Sequence, residues 1–132
     1  MRGYLLLLGL ILALGLVPEA LSQAAKKKEG AALNEKVQQL IDSTAKRPVL
    51  RLNGNKFRDY VRNSPRNYSM IVMFTAMSAS RQCAICKQAS EEYHLVANSY
   101  RYSPHYSNKL FFAMVDFDEG PDVFQVQDLK SI

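Results

Sequence analysis

Two cysteines constrain this chain more than any other feature, because they stand three residues apart, at Cys83 and Cys86, and the sequence has no others. A short run before them, residues 68–76, is rich in apolar, β-branched and aromatic side chains and predicts a buried strand. After them, apolar residues recur at 3.6-residue spacing, which predicts an amphipathic helix whose buried face is formed by Cys86, Ala89, Tyr93, Val96, Ala97 and Tyr100. We therefore expect the pair at a strand-to-helix junction, on the first turn of the helix.

That position favours thiol chemistry. The N–H groups and the positive dipole end of a helix N-terminus stabilise a thiolate, which is the nucleophile of disulfide exchange. Cys83 is predicted to be the attacking thiol, and Cys86, one turn later, the thiol that resolves a mixed disulfide. Arg81 and Lys87 add positive charge nearby, but both are expected to be solvated and to contribute weakly.

Three interpretations of the pair remain open. A redox dithiol is favoured, because CxxC between a strand and a helix is typical of thioredoxin-like proteins. A zinc site would need His94 and His105, whose spacing from the cysteines fits no common zinc finger. A structural disulfide is the third interpretation, although a two-residue loop removes little entropy from the unfolded chain.

The first 22 residues resemble a secretory signal peptide. Arg2 supplies the positive charge, residues 4–17 form the apolar core, and Ala20-Leu21-Ser22 places small residues before the predicted cleavage point. We expect no membrane span after cleavage, and an uncleaved anchor is the alternative. The net charge is +5, but secretion argues against nucleic acid as a partner, and the lysines at 26–28 are expected to form a solvated arm.

The rest of the chain predicts an α/β fold. An N-terminal arm and helix are expected over residues 23–46, with the helix ending before Asp42, and a truncated thioredoxin-like domain over residues 47–132. Within that domain the order is β-α-β-α-β-α, with parallel strands joined by right-handed crossovers. The predicted strands are 48–52, 68–76 and 109–116, and the intervening helices are 56–63 and the one that follows the cysteines. A last helical piece after Gly120-Pro121 is expected to turn Val123, Phe124 and Val126 toward the core.

Several polar residues were weighed as further sites. Asn67-Tyr68-Ser69 is an N-glycosylation sequon in a chain predicted to be secreted, so Asn67 is a candidate glycan acceptor. Asp116 and Asp118 are expected to line a loop, and the alternative is a buried acid that assists proton transfer to Cys86. His94 and His105 are expected at the surface. No metal site and no cofactor is expected.

Longer strings of residues resemble one family closely. These strings are Arg47-Pro48-Val49, Leu52-Asn53-Gly54, Lys56-Phe57-Arg58, residues 65–76, Arg81-Gln82-Cys83 and residues 111–120. Through them the sequence is similar, from about Lys26 to Phe124, to the thioredoxin-like oxidoreductase subunit of the oligosaccharyltransferase complex.

The resemblance implies a domain in the lumen of the endoplasmic reticulum. It also implies transient mixed disulfides with cysteines of nascent polypeptides, which aid protein N-glycosylation. Cys83 and Cys86 match the two positions of the family's redox motif, which implies a redox-active Cys83–Cys86 disulfide. Magnesium transport is also attributed to the family, but it needs membrane spans that we expect this chain to lack. A non-catalytic, truncated lumenal fragment is the remaining alternative.

The similarity fades after Gln125, about where the family has a proline that faces the CxxC motif. We therefore expect an incomplete thioredoxin-like fold and a truncated product. An exposed sheet edge beside apolar side chains would give it marginal stability.

Overall fold

The computed structural model describes residues 2–125, with side chains from residue 19 onward. The chain divides into two compact units, Met1–Lys36 and Val37–Ile132. Its helices and strands are α1 (Arg2–Lys46), β1 (Val49–Arg51), α2 (Gly54–Phe57), β2 (Ser69–Thr75), α3 (Cys86–Arg101) and β3 (Leu110–Asp116). A π-helical turn, Arg58–Arg62, continues α2, and 3-10 turns occupy Ala79–Arg81 and Pro121–Phe124.

The three strands form one parallel sheet in the order β1-β3-β2. Val49 pairs with Phe112 across β1 and β3, and Phe74 pairs with Val115 across β2 and β3. Parallel strands need crossover connections, which the two helical segments between them supply. The α/β class, the parallel sheet and the incomplete thioredoxin-like order are therefore confirmed.

Strand β3 lies in the centre of this sheet and is buried on both faces. Ala113 and Val115 join a core with Leu52 and Phe57 on one face. Phe112 and Met114 face the opposite layer, which includes Ala97 of α3. A near-continuous apolar run is the sequence pattern of such a doubly covered parallel strand, so the prediction for this strand is confirmed.

Strand β2 is not the buried strand that its sequence predicts. Its only described neighbour is β3, so it forms an edge of the sheet, and Thr75 is its only buried residue. Ile71 and Phe74 are both exposed to more than a third of their surface. The prediction was wrong because an apolar run indicates only that the side chains of a strand are suited to burial. Whether they are buried depends on the elements that cover the strand.

Helix α1 continues past the polar residues that were expected to end it. The hydroxyls of Ser43 and Thr44 donate to the carbonyl oxygens of Gln39 and Leu40, at 2.7 and 2.8 Å, so these side chains bond within the helix instead of breaking it. The guanidinium of Arg101 then donates to two carbonyl oxygens of the last turn of α1. A cation at a helix C-terminus stabilises that end, which accounts for the later termination at Lys46.

Helix α3 packs on the sheet mainly through Tyr93, Ala97 and Tyr100. The Tyr93 hydroxyl lies 2.7 Å from the carbonyl oxygen of Ile71 and 3.0 Å from that of Ala113, so its single proton is shared between the two acceptors. Burial raises the pKa of Tyr93 to about 12, so its hydroxyl remains a donor at neutral pH. This side chain fastens the helix that carries Cys86 to both β2 and β3.

The helical pattern also predicted that Val96 faces the core, and this was wrong. Val96 and its neighbour Leu95 are largely exposed, because Tyr93 and Ala97 occupy the positions that face the sheet.

No helix in the part of the chain that was searched is both long enough and apolar enough to cross a bilayer. The signal peptide over residues 1–22 remains a prediction, as do the domain limits at residues 22 and 46. Of the final segment, Val123 is buried as expected, whereas Val126 lies outside the described residues.

Candidate functional site

The two cysteines lie between β2 and α3 and are joined by a disulfide. Cys86 is the first residue of α3, and Cys83 lies in the turn that precedes the helix. Their Cα atoms are 5.4 Å apart, and the Cys86 N–H donates to the Cys83 carbonyl oxygen at 3.3 Å. The strand-to-helix location is confirmed, with one correction, because Cys83 precedes the helix and does not belong to its first turn.

The end of α3 that carries the cysteines is electrostatically suited to a thiolate. The helix has sixteen residues and no acidic residue in its first turn, so nothing in that turn offsets the positive end of its dipole. Since Cys83 is bonded to the first residue of the helix, both sulfur atoms lie at this end. Reduction of the disulfide would therefore place two thiols where the charged form is favoured.

The disulfide is accessible from solvent. Cys83 and Cys86 are half-buried, and the two residues between them are exposed, Ile85 to 63%. Met77, which follows β2, is exposed as well. Two exposed apolar side chains, Met77 and Ile85, therefore lie on the chain segment that carries the disulfide.

The segment that leads from β2 to Cys83 is held by the residues at the end of β3. Asp116 is buried, and its carboxylate accepts hydrogen bonds from the N–H groups of Met77, at 2.8 Å, and Asp118, at 3.0 Å. The next residue, Phe117, donates its N–H to the carbonyl oxygen of Thr75 at 2.8 Å. The buried Asp116 carboxylate thus has a backbone-anchoring role, and its alternative as a proton donor to Cys86 remains untested.

Arg81 is exposed at the surface, as expected, and it is also held by two residues that follow β3. Its Nε and Nη2 atoms donate to one carboxylate oxygen of Asp118, at 3.1 and 2.5 Å. The guanidinium carbon also lies 4.4 Å from the ring centroid of Phe117. Hydrogen bonding to Asp118 raises the pKa of Arg81 further, so this group is charged throughout the physiological range.

The anchoring roles of Asp116, Phe117 and Asp118 were not predicted from the sequence, although a signal was present. These residues directly follow a strand predicted to be parallel to β2. Because parallel strands end at the same edge of a sheet, their following loops meet there. The run Asp116-Phe117-Asp118 should therefore have been placed beside the CxxC segment.

The structure does not bring His94 and His105 into the cysteine site as ligands. His94 lies on α3, where its Nδ1 is 2.8 Å from the Ser90 carbonyl oxygen, and His105 lies in the loop after that helix. In the part of the chain that was searched, no three His, Cys, Asp or Glu side chains are grouped as a metal would require. With both cysteines in a disulfide, the zinc interpretation has no support from the geometry.

Asn67 lies in the turn just before β2, next to the buried Tyr68 and the exposed Ser69. Its side chain is half-buried, and within the described residues its Oδ1 atom is buried without a hydrogen-bond partner. The sequon therefore lies at the start of β2, whereas the CxxC segment follows the other end of this strand.

Comparison with known proteins identifies the relatives of this chain. A model of the OST3/OST6 family, described as a transporter family, matches residues 37–132. The MAGT1 subunit of dolichyl-diphosphooligosaccharide–protein glycosyltransferase is 58% identical in Xenopus laevis, over 84% of this chain and 33% of that protein. The human MAGT1 subunit is 54% identical, over 92% of this chain and 36% of the relative.

A more distant relative is subunit 3 of the same glycosyltransferase from Schizosaccharomyces pombe, which is 25% identical over 64% of this chain and 27% of its own length. The chain spans about a third of the length of the curated MAGT1 relatives that it matches. The family match covers the whole sheet and the CxxC segment, and it confirms the resemblance found in the sequence: the chain belongs to the OST3/OST6 family.

Proposed function

We propose that this chain is the thiol–disulfide oxidoreductase domain of an oligosaccharyltransferase accessory subunit. The observation that carries the proposal is the accessible Cys83–Cys86 disulfide at the N-terminus of α3, at the edge where a parallel sheet ends. Membership of the OST3/OST6 family supports the same function, because the relatives are named as subunits of that glycosyltransferase. The domain would act in the lumen of the endoplasmic reticulum.

The chemistry is a reversible exchange with cysteines of nascent polypeptides. A thiolate of the nascent chain attacks the sulfur of Cys83, the Cys83–Cys86 bond breaks, and Cys86 leaves as a thiolate. A mixed disulfide then joins Cys83 to the nascent chain. When the Cys86 thiolate attacks Cys83 in return, it restores the internal disulfide and releases the nascent chain as a thiolate, so the cycle consumes no oxidant.

Such a cycle would hold a nascent segment near the glycosyltransferase without altering it permanently. A segment that is held cannot complete its folding, and an unfolded acceptor site remains available for N-glycosylation. The proposed partners are therefore nascent polypeptides that contain cysteine and the oligosaccharyltransferase complex.

The test is to trap the mixed disulfide. The full chain with Cys86→Ser, incubated with a peptide whose cysteine carries glutathione as a disulfide, is expected to accumulate a stable protein–peptide adduct on non-reducing gels. In this arm the Cys83 thiolate attacks the peptide sulfur and releases reduced glutathione. The wild-type chain, reduced beforehand, should release the peptide again, because Cys86 resolves the adduct.

The matched control is Cys83→Ser, which retains one thiol in the same turn. It is expected to form the adduct at least about tenfold more slowly, because the proposal assigns attack to Cys83, which precedes the helix, and resolution of the adduct to Cys86, the first residue of α3. Equal adduct formation by the two variants would contradict the assigned roles. Absence of an adduct in both would favour a non-catalytic lumenal fragment with a structural disulfide.

We further propose that Asn67 accepts an N-linked glycan, as its sequon indicates. Expression in a secretory system should then give one endoglycosidase-sensitive mobility shift, which Asn67→Gln removes. Asn63→Gln is the control, because Asn63-Ser64-Pro65 lacks a hydroxyl residue at its third position. A wild-type chain without the shift would show that the partly buried Asn67 is not used.

A further inference from the structure

The guanidinium of Arg81, two residues before Cys83, is fixed by two residues that follow β3. It forms both hydrogen bonds to Asp118 described above and stacks over the Phe117 ring. That ring in turn packs edge-on against Phe124, with 5.1 Å between centroids. The Arg81–Asp118 pair, here called the clasp, therefore connects the segment that precedes Cys83 to the segment after β3, whose Phe117 packs on Phe124.

The turn between the clasp and Cys83 needs such support. Gln82 has a left-handed backbone conformation, with φ of 53° and ψ of 33°, and its N–H donates to the Ala79 carbonyl oxygen at 3.2 Å. A residue with a Cβ atom adopts this conformation only when its surroundings hold it there. Arg81 is the anchored side chain immediately before this turn, so the clasp helps to fix the position of Cys83.

We propose that Arg81 and Asp118 are positioning residues that raise the equilibrium constant for formation of the Cys83–Cys86 disulfide. The inference rests on the proposed oxidoreductase function. Clasp and disulfide are present together in this structure, so the clasp is compatible with the oxidised form. Without it, the turn of the reduced chain would sample more conformations, and closing the disulfide would cost more conformational entropy.

A purely electrostatic role for the same residues makes a different prediction. Removing the charge of Arg81 would take a positive group away from the thiols, whereas removing the charge of Asp118 would leave that positive group without its counter-ion. The two changes would then shift the thiol–thiolate balance in opposite directions. A positioning role requires both changes to act in the same direction, because either one weakens the clasp.

The experiment equilibrates the full chain with mixtures of reduced and oxidised glutathione near neutral pH. One protein dithiol and one oxidised glutathione give one protein disulfide and two reduced glutathiones. After acid quenching and alkylation of the free thiols, mass spectrometry gives the ratio of oxidised to reduced protein. Arg81→Gln and Asp118→Asn are each expected to lower the equilibrium constant about three- to tenfold. The double variant should lower it no further than the stronger single variant, because both residues belong to one interaction.

The matched control is the ion pair between Arg51 and Glu119. Its side chains are 60% and 41% exposed, compared with 43% and 40% for Arg81 and Asp118, and Glu119 directly follows Asp118 in the chain. This pair connects the same segment to β1 and not to the turn before Cys83. Glu119→Gln is therefore expected to leave the equilibrium constant within about twofold of the wild type.

Opposite shifts in Arg81→Gln and Asp118→Asn, or no shift in either, would overturn the positioning role and leave the proposed function standing. Unfolding of both variants, judged by circular dichroism, would also overturn it, because a clasp that acts on one turn is not needed by the core. A wild-type disulfide that does not exchange with glutathione would overturn the inference and the proposed function together.

Discussion

Replacing Phe57 by alanine is expected to lower the free energy of unfolding by about 3–5 kcal/mol, because the change leaves a cavity in the core. Phe57 is only 1% exposed and packs with Leu52, Val115 and Val123 on one face of the sheet. Its ring also meets Phe74 edge-on, with centroids 6.0 Å apart. Chemical denaturation of the oxidised chain, followed by circular dichroism, measures the loss.

The control is Tyr102→Ala, which also removes an aromatic ring, but from a side chain that is 80% exposed. It is expected to change the free energy of unfolding by less than about 0.5 kcal/mol. Since a small domain has only about 5–15 kcal/mol of stability, Phe57→Ala should remove a large part of it and lower the midpoint of the denaturation curve. Equal effects of the two changes would mean that this face of the sheet is not packed as described.

Asp116→Ala is expected to destabilise the chain by about 2–3 kcal/mol, because two backbone N–H groups lose a charged acceptor. The Asp116 side chain is 5% exposed and holds the N–H groups of Met77 and Asp118 at hydrogen-bond distance. Little water reaches this position to replace it. The same denaturation experiment measures the loss, and proteolysis of the loop before Cys83 should become faster.

Asp118→Asn provides the comparison within the same segment. Its carboxylate is partly exposed and bonded to an exposed guanidinium, so solvent compensates much of the lost interaction. We expect a much smaller change in stability than for Asp116→Ala, together with the shift in disulfide formation proposed above. If both variants lost the same stability, the difference in burial between the two carboxylates would not determine their roles.

Most of the architecture could be predicted from local patterns. Residues 109–116 predict a strand buried on both faces, and the strand is found at Leu110–Asp116 in the centre of the sheet. The pattern of α3 predicts a helix from the cysteines to Tyr100, and the helix is found at Cys86–Arg101. These predictions succeed because a continuous apolar run and a 3.6-residue spacing each reflect the geometry of one element at a time.

Predictions that required knowledge of neighbouring elements were less successful. Ile71 and Phe74 belong to an apolar run that is typical of a buried strand. They are exposed because β2 lies at an edge of the sheet, where β3 is its only neighbouring strand among the described residues. Arg81 looks like an exposed cation in the sequence but is paired with Asp118, 37 residues further along the chain. Nothing in the local pattern around Arg81 indicates which distant loop will lie beside it.

The sequence by itself determined that two cysteines stand between a strand and a helix, and that this helix begins close to them. Both properties depend on residues within about one turn or one strand of the motif. Only the tertiary structure decided that Asp116, Phe117 and Asp118 hold the segment before Cys83, and that Tyr93 fastens α3 to two strands. The physical reason is that parallel pairing of β2 with β3 brings the ends of two distant segments to one edge of the sheet, and contacts across that edge have no counterpart in local periodicity.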